Sequence, residues 1–256
     1  MKNKTRILLP LLTFLSAAAT AQTAAPAAPA AAEPPFALTG NINLTTNYKF
    51  RGQDQGTTKY VSPAVQGGFD FSSNGFYVGN WNSNVSFAGE IEMDFYAGYK
   101  GEINKELTYD IGILEYYYPE KNKGANFDTT EIYGALTYSF ATFKYSHTVS
   151  PDYFGFGSAS GKRGRNTGYY DLAVNYPVVD KLTLNAHVGY TRFPKKLRDA
   201  TDLPNYMDYK IGVTYDMSAL TGAGTSIAAA VVGANKKGYF GDINKSRAIL
   251  TLSKAL

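Results

Sequence analysis

Cysteine is absent from the 256 residues, which excludes disulfides, a thiolate metal site and a lipidated cysteine behind an export signal. Histidine is scarce, with only His147 and His187. Charged residues make up only 18% of the chain and nearly cancel. Of 25 basic and 21 acidic side chains, Lys2, Lys4 and Arg6 lie at the very N-terminus, so the rest carries 22 against 21, a net of +1. That balance removes the main support for a nucleic-acid partner. Beyond residue 21 there are no helical heptads and no apolar run of the roughly 20 residues that a spanning helix requires.

The first 21 residues read as a cleaved export signal. Lys2, Lys4 and Arg6 form a positive start, "ILLPLLTFLSAAA" an apolar stretch, and "ATA" before Gln22 a small-x-small cleavage site. Residues 22–35, "QTAAPAAPAAAEPP", have the composition of an Ala/Pro spacer. Residues 36–256 then suffice for one large all-β domain, with no second composition shift to divide them.

What this region does contain is tyrosine, phenylalanine and glycine (21, 15 and 25 in the whole chain), set in alternating patterns. In "LTGNINLTTNYKF", Leu38, Ile42, Leu44 and Tyr48 share one parity, while Asn41, Asn43, Thr45, Asn47 and Lys49 share the other. A period of two marks a strand with unlike faces. The pattern recurs in twelve segments: 38–50, 59–71, 76–87, 91–100, 106–116, 128–140, 142–149, 167–176, 181–191, 207–216, 225–234 and 246–256. A 13-residue strand tilted by about 40° gains about 33 Å of height, enough to cross the apolar band of an outer membrane.

Connections between the segments alternate in length. "SSNG", "GEINKE", "FAT", "PVVDK" and "MSALTGAG" interleave with the mostly longer "RGQDQGTT", "YPEKNKGANF", "SPDYFGFGSASGKRGR", "RFPKKLRDATDLPN" and "ANKKGYFGDINK". Aromatics of the apolar parity gather at the short-turn end: Phe69, Phe71, Tyr77, Tyr99, Tyr109, Tyr138, Phe140, Phe143, Tyr145, Tyr176 and Tyr215. Tyr48, Phe50 and Tyr190 form a sparser belt at the other end. Short turns, long loops and aromatic girdles together predict a transmembrane antiparallel β-barrel of about twelve strands, since only helices and closed barrels satisfy their backbone groups in lipid. Two hairpins can be registered by parity. A three-residue "SNG" turn sets Phe71 opposite Tyr77, and an "AGE" turn sets Phe87 opposite Ile91, Ser86 opposite Glu92 and Asn84 opposite Asp94.

At "NYKFRGQDQG", "SPAVQGGFDF", "GFYVGNWNSNV", "EMDFYAGYKGEI" and "GILEYYYP" the chain resembles the TorF family of porins, and the likeness extends over "EIYGALTYSF", "YYDLAVNYPVVDKLTLNAHVGY" and "DYKIGVTYD". The resemblance implies a signal peptide, an outer-membrane barrel of roughly a dozen strands in a Gram-negative bacterium, and diffusion of small solutes. It brings no catalytic residues. One departure concerns the C-terminus, where the barrel assembly machinery of such a family reads an aromatic residue. Here the chain ends "LTLSKAL", with Lys254 breaking the apolar parity of Leu250, Leu252 and Leu256.

The inward parity predicts a pore lining of Lys49, Asn80, Asn82, Asn84, Glu92, Asp94, Lys100, Asp110, Glu131, Lys144, Asp171, Lys210 and Asp216. Such a set either selects solutes by charge or pairs with itself and plugs the lumen, and twelve strands allow both. The small inward residues Ser86, Gly98, Gly112, Thr137, Ser139, Gly189, Gly212 and Thr214 favour an open channel for small hydrophilic solutes. Outer-loop cations, Lys162, Arg163, Arg165, Lys195, Lys196, Arg198, Lys236 and Lys237, suit lipopolysaccharide phosphates. A structural or adhesive barrel acting through its loops is the alternative.

An enzyme is not expected. A barrel lipid hydrolase would need Ser and His within hydrogen-bond reach at the lipid face, and His147, flanked on its face by Tyr145 and Val149, has no Ser two residues away. "GSASGKR" resembles a phosphate-binding loop but has one residue too few between its glycines, and Arg163 stands where Ser or Thr is required. No cofactor or metal is implied.

Overall fold

The computed structural model describes residues 36–56, 61–87, 90–119 and 126–256. The expected export signal and Ala/Pro spacer lie outside the described residues. In chain order the strands are β1 (Ala37–Thr45), β2 (Lys49–Phe50), β3 (Gln53–Asp54), β4 (Ala64–Ser73), β5 (Phe76–Asn84), β6 (Ile91–Glu102) and β7 (Leu107–Tyr117). They continue as β8 (Thr129–Tyr138), β9 (Ala141–Thr148), β10 (Gly168–Val179), β11 (Leu182–Arg192), β12 (Tyr206–Asp216), β13 (Thr225–Ala234) and β14 (Arg247–Ala255). All but β2 and β3 pair with their sequence neighbours in one antiparallel sheet. Pairing of β1 with β14, from Asn41 opposite Ala255 to Thr45 opposite Thr251, closes it as a twelve-strand barrel. Closure leaves no unpaired edge, the condition for standing in lipid.

Side-chain alternation gives the barrel an inverted distribution of polarity. Leu38, Phe69, Ile111, Ile211 and Leu250 are all more than half exposed on the outer surface, while Glu92, Asp94, Glu131 and Asp208 are at most 1% exposed on the inner one. An apolar surface of that extent is unfavourable in water and suited to acyl chains. At the short-turn end the outer aromatics pack as a girdle, with Phe76 on Tyr99, Tyr99 on Tyr109, and Phe140 on Tyr176. Phe69, Phe71, Tyr138 and Tyr215 are exposed on the same outer surface.

Three expectations are corrected by the pairing. First, the strand expected over 38–50 ends at Thr45, because nine to eleven tilted residues already span the apolar band. Tyr48 and Phe50, expected at a lipid belt, are buried inside the barrel. Second, the turn after β4 has two residues rather than three. Ser73 pairs with Phe76 and Phe71 with Val78, and Asn74 (φ 49°) and Gly75 (φ 84°) both take positive φ, as a type I′ turn demands. A one-residue slip moves every side chain to the opposite face. Tyr77 therefore points into the lumen and leaves the girdle to Phe76, while Asn80, Asn82 and Asn84, expected in the lumen, share the outer face with Phe69, Gly67 and Val65. Third, Asn84 pairs with Ile91 and Ser83 with Glu92, so the expected "AGE" register does not form. That slip is of three residues and cancels the parity change of the first, so Glu92 and Asp94 keep the inward direction.

Candidate functional site: the lumen and its inward hairpin

Beyond Thr45 the chain turns into the barrel. β2 and β3 form a small hairpin, with Lys49 opposite Asp54 and Phe50 opposite Gln53, around a two-residue turn in which Arg51 (φ 46°) and Gly52 (φ 75°) are both left-handed. Glycine is required at the tip: a Cβ there would lie 2.5 Å from the Asp208 Cβ on β12 and 2.7 Å from the Gly233 carbonyl oxygen on β13. The hairpin tip thus packs against β12 and β13, and it lies at the loop end of the lumen.

Charge holds it there. Arg51 donates to both carboxylate oxygens of Glu131 on β8, at 2.9 and 2.6 Å, and to the Tyr153 hydroxyl at 2.9 Å. Its guanidinium carbon lies 4.1 Å from the centroid of the Tyr169 ring and 4.8 Å from that of Phe50. Asp54 gathers Lys49 at 2.9 Å, Asn47 at 2.6 Å and Arg247 on β14 at 3.1 Å. Lys49 also donates to the carbonyls of Gly52 and Ile243. Burial pushes the Lys49 ammonium below the usual lysine range, opposed by Asp54 beside it. Tyr48 and Tyr118 both donate to Glu92, and Gln53 donates to Asn244. Charges this deeply buried persist only when paired and hydrogen-bonded.

Aromatic packing fills the space around the hairpin. On one side Tyr48, Phe50, Trp81, Tyr96, Leu114, Tyr116 and Tyr118 form a buried cluster. On the other, Tyr153, Phe193, Leu197, Leu203, Tyr206 and Ala234 form a second, built by loops folded over the mouth and the short helix Lys195–Thr201. Beneath this plug the lumen is wetter. Lys100 Nζ stands 3.8 Å from Asp110, and both side chains are about one-fifth exposed. His187 spans two carboxylates, Nδ1 at 3.1 Å from Asp171 and Nε2 at 3.2 Å from Asp208. Asp208 also accepts from the Tyr169 hydroxyl, and Asp110 from that of Tyr77.

The expected lining is therefore divided. Lys49, Glu92, Asp94 and Glu131 are buried in the plug region, and Lys144 is buried with its Nζ 3.9 Å from the Tyr133 ring centroid. Lys100, Asp110, Asp171, Lys210 and Asp216 face the lower lumen, Asp216 accepting from the Ser218 amide at the short-turn end. Asn80, Asn82 and Asn84 are outside.

The volume attributed to inward glycines is also taken up. A Cβ at Gly112 would lie 2.5 Å from the Tyr133 hydroxyl, and those at Gly98 and Gly189 would collide with the hydroxyls of Tyr77 and Tyr169. Gly98, Gly112 and Gly189 accommodate tyrosine rings from neighbouring strands rather than leaving free space, and Gly212 lies against Ala229 and Ala230. Reasoning from sequence missed Arg51, Asp54, Trp81, Tyr116 and Asp208. "KFRGQD" was a usable signal for the hairpin, with a glycine in a two-residue turn flanked by an ion pair.

At the outer rim Lys162, Arg163, Arg165, Lys195 and Lys196 line a basic groove. His147 lies on the outer face and bonds with Tyr145 and Asn166. No group of side chains fit to hold a metal occurs among the described residues.

Comparison with solved structures gives the porin NanC, at a TM-score of 0.53 and 13% identity over 86% of this chain and 98% of that one. The porin KdgM gives 0.53 and 8% identity over 84% and 98%. KdgM in complex with disordered oligogalacturonate scores 0.52, again with 8% identity over 84% and 98%. At such identities the likeness is one of fold, the closed barrel of outer-membrane porins. No curated protein matches the chain. A family model matches residues 29–255, nearly all of the barrel with part of the segment before it, and the chain belongs to that family, Gcw_chp, a bacterial protein family of unknown function.

Proposed function

We propose that this protein is a porin-like channel of the Gram-negative outer membrane, passing small hydrophilic solutes or ions through a lumen narrowed by the Lys49–Asp54 hairpin. The observation that carries this reading is the pair of partly exposed charge groups beneath the hairpin, Lys100 with Asp110 and Asp171 with His187. Packing alone gives no reason to keep charges wet inside a barrel. The likeness of the chain to TorF-family porins supports the same function. The oligogalacturonate of the KdgM complex is an anionic sugar. The inner face here pairs charges of both signs, which suits small solutes of either charge better than a polyanion.

The loop cations of the rim groove support lipopolysaccharide phosphates as a partner, and the exposed Leu250 and Leu252 on the outer face of β14 support recognition by the assembly machinery. Planar-bilayer recording tests the channel: discrete conductance steps are expected, and Asp110→Asn should shift the reversal potential toward anions. A bilayer that stays silent with folded protein overturns the reading. The filled loop end favours one second reading, a structural or adhesive barrel, which predicts that silence together with partner binding through the loops.

A further inference from the structure

The outward His147, Arg192 and Lys254 stand at or next to strand ends. Over the middle of the wall the outer face of this barrel is apolar except in one sector. There β5 presents Asn80, Asn82 and Asn84, and two strands away β7 presents Glu115, which accepts a hydrogen bond from Thr130 on β8. Asn80 lies four residues beyond Phe76, and a tilted strand gains roughly 2.5 Å of height per residue. The stripe therefore runs from about mid-membrane toward the loop side. Glu115, six residues beyond Tyr109 of the girdle, reaches a similar height. On the far side of the barrel the outward residues of β12 are Met207, Tyr209, Ile211, Val213 and Tyr215, with no such break.

These groups are only partly satisfied within one chain. The asparagine amides donate to the carbonyls of Asp94, Gly67 and Pro63 and to one another, leaving further N–H groups of the Asn80 and Asn84 amides, each of which carries two. A carboxylate at this depth is costly in lipid and calls for donors. Acyl chains offer none. Between the donor stripe on β5 and the acceptor on β7 lies β6, whose outward residues are Ile91, Met93 and Phe95.

We propose that this face is a two-fold interface with a second copy of the same chain, centred on β6. A two-fold axis there sets the asparagine stripe of each copy against Glu115 of the other, donor to acceptor, twice over, as an isologous contact requires. Met93, an adaptable side chain, lies at the axis. The inference depends on the membrane-spanning fold and not on the channel.

The chain has no cysteine, so a single introduced thiol is a clean probe. Met93→Cys in outer membranes, treated with a short bismaleimide, should give a product of twice the chain mass. Ile211→Cys on the far side should give none. No product at position 93, equal products at both positions, or a product of another mass would each overturn the proposal. The variant N80L/N82L/E115L should lose the native double mass in mild detergent while keeping a heat-modifiable barrel. Retention of the double mass would refute the contact, and should the variant not fold, the Met93→Cys and Ile211→Cys pair and the mass of the unaltered protein decide.

Discussion

Glu131→Gln isolates what holds the hairpin inside the barrel. Both members of the Arg51–Glu131 pair are 1% exposed, and the contact is bidentate. Removing one charge leaves the guanidinium buried without its counter-ion, a defect worth about 3 to 5 kcal/mol. The barrel wall need not absorb it, since β8 keeps its ladders to β7 and β9. The hairpin is the part able to leave, so the energy should appear as a shift between docked and released hairpin. At 1.4 kcal/mol per tenfold, the lower figure amounts to about two decades in the released population.

Release exposes the bond after Arg51 to trypsin from the loop side. Cleavage on intact cells should therefore accelerate by roughly a hundredfold in Glu131→Gln, with the barrel still heat-modifiable and the open-channel current larger. The double replacement R51M/E131M, which removes both charges, should restore most of the protection. Unchanged cleavage in Glu131→Gln would refute the assignment of this pair as the latch.

Three further outcomes follow from the register and the packing. Ile211→Arg should destabilise the barrel by about 2 to 4 kcal/mol in a refolding titration in lipid, with a much smaller effect for Lys210→Gln on the opposite face; equal effects would contradict the facing assignment. Gly98→Val forces a side chain against Tyr77 and the Ile111 carbonyl and should cost about 1 to 3 kcal/mol as overpacking, whereas an open lumen would accept it without loss. An epitope inserted at Gly161, which has open space around it, should be labelled on intact cells, and one at Asn74 only after permeabilisation; the reverse would invert the barrel.

Much of the barrel was legible in the sequence because lipid imposes a strict rule on one parity of each strand. The alternation around Ile91–Tyr99 and Tyr206–Tyr215, and the contrast of short turns with long loops, read directly onto the wall. Inner residues were harder, because the same alternation can continue when the chain leaves the wall: Tyr48 and Phe50 keep an apolar parity whether they face lipid or the plug. At Asn74–Gly75 a single residue of turn length decided the facing of all of β5 and with it Tyr77, Asn80, Asn82 and Asn84. Pairing partners such as Arg51 with Glu131, 80 residues apart, have no local signal at all. The glycines were visible, but the tyrosines that cover them come from adjacent strands and appear only once the register is known.

A channel narrowed by the inward hairpin should change its single-channel conductance when that hairpin is removed. Replacing Asn47–Gln55 by a short Gly/Ser link leaves every ladder of the barrel wall in place. Small conductance steps are expected from the unaltered protein and markedly larger ones from the shortened chain; a correctly folded shortened barrel whose conductance is unchanged, or that passes no current, would refute the hairpin as the constriction.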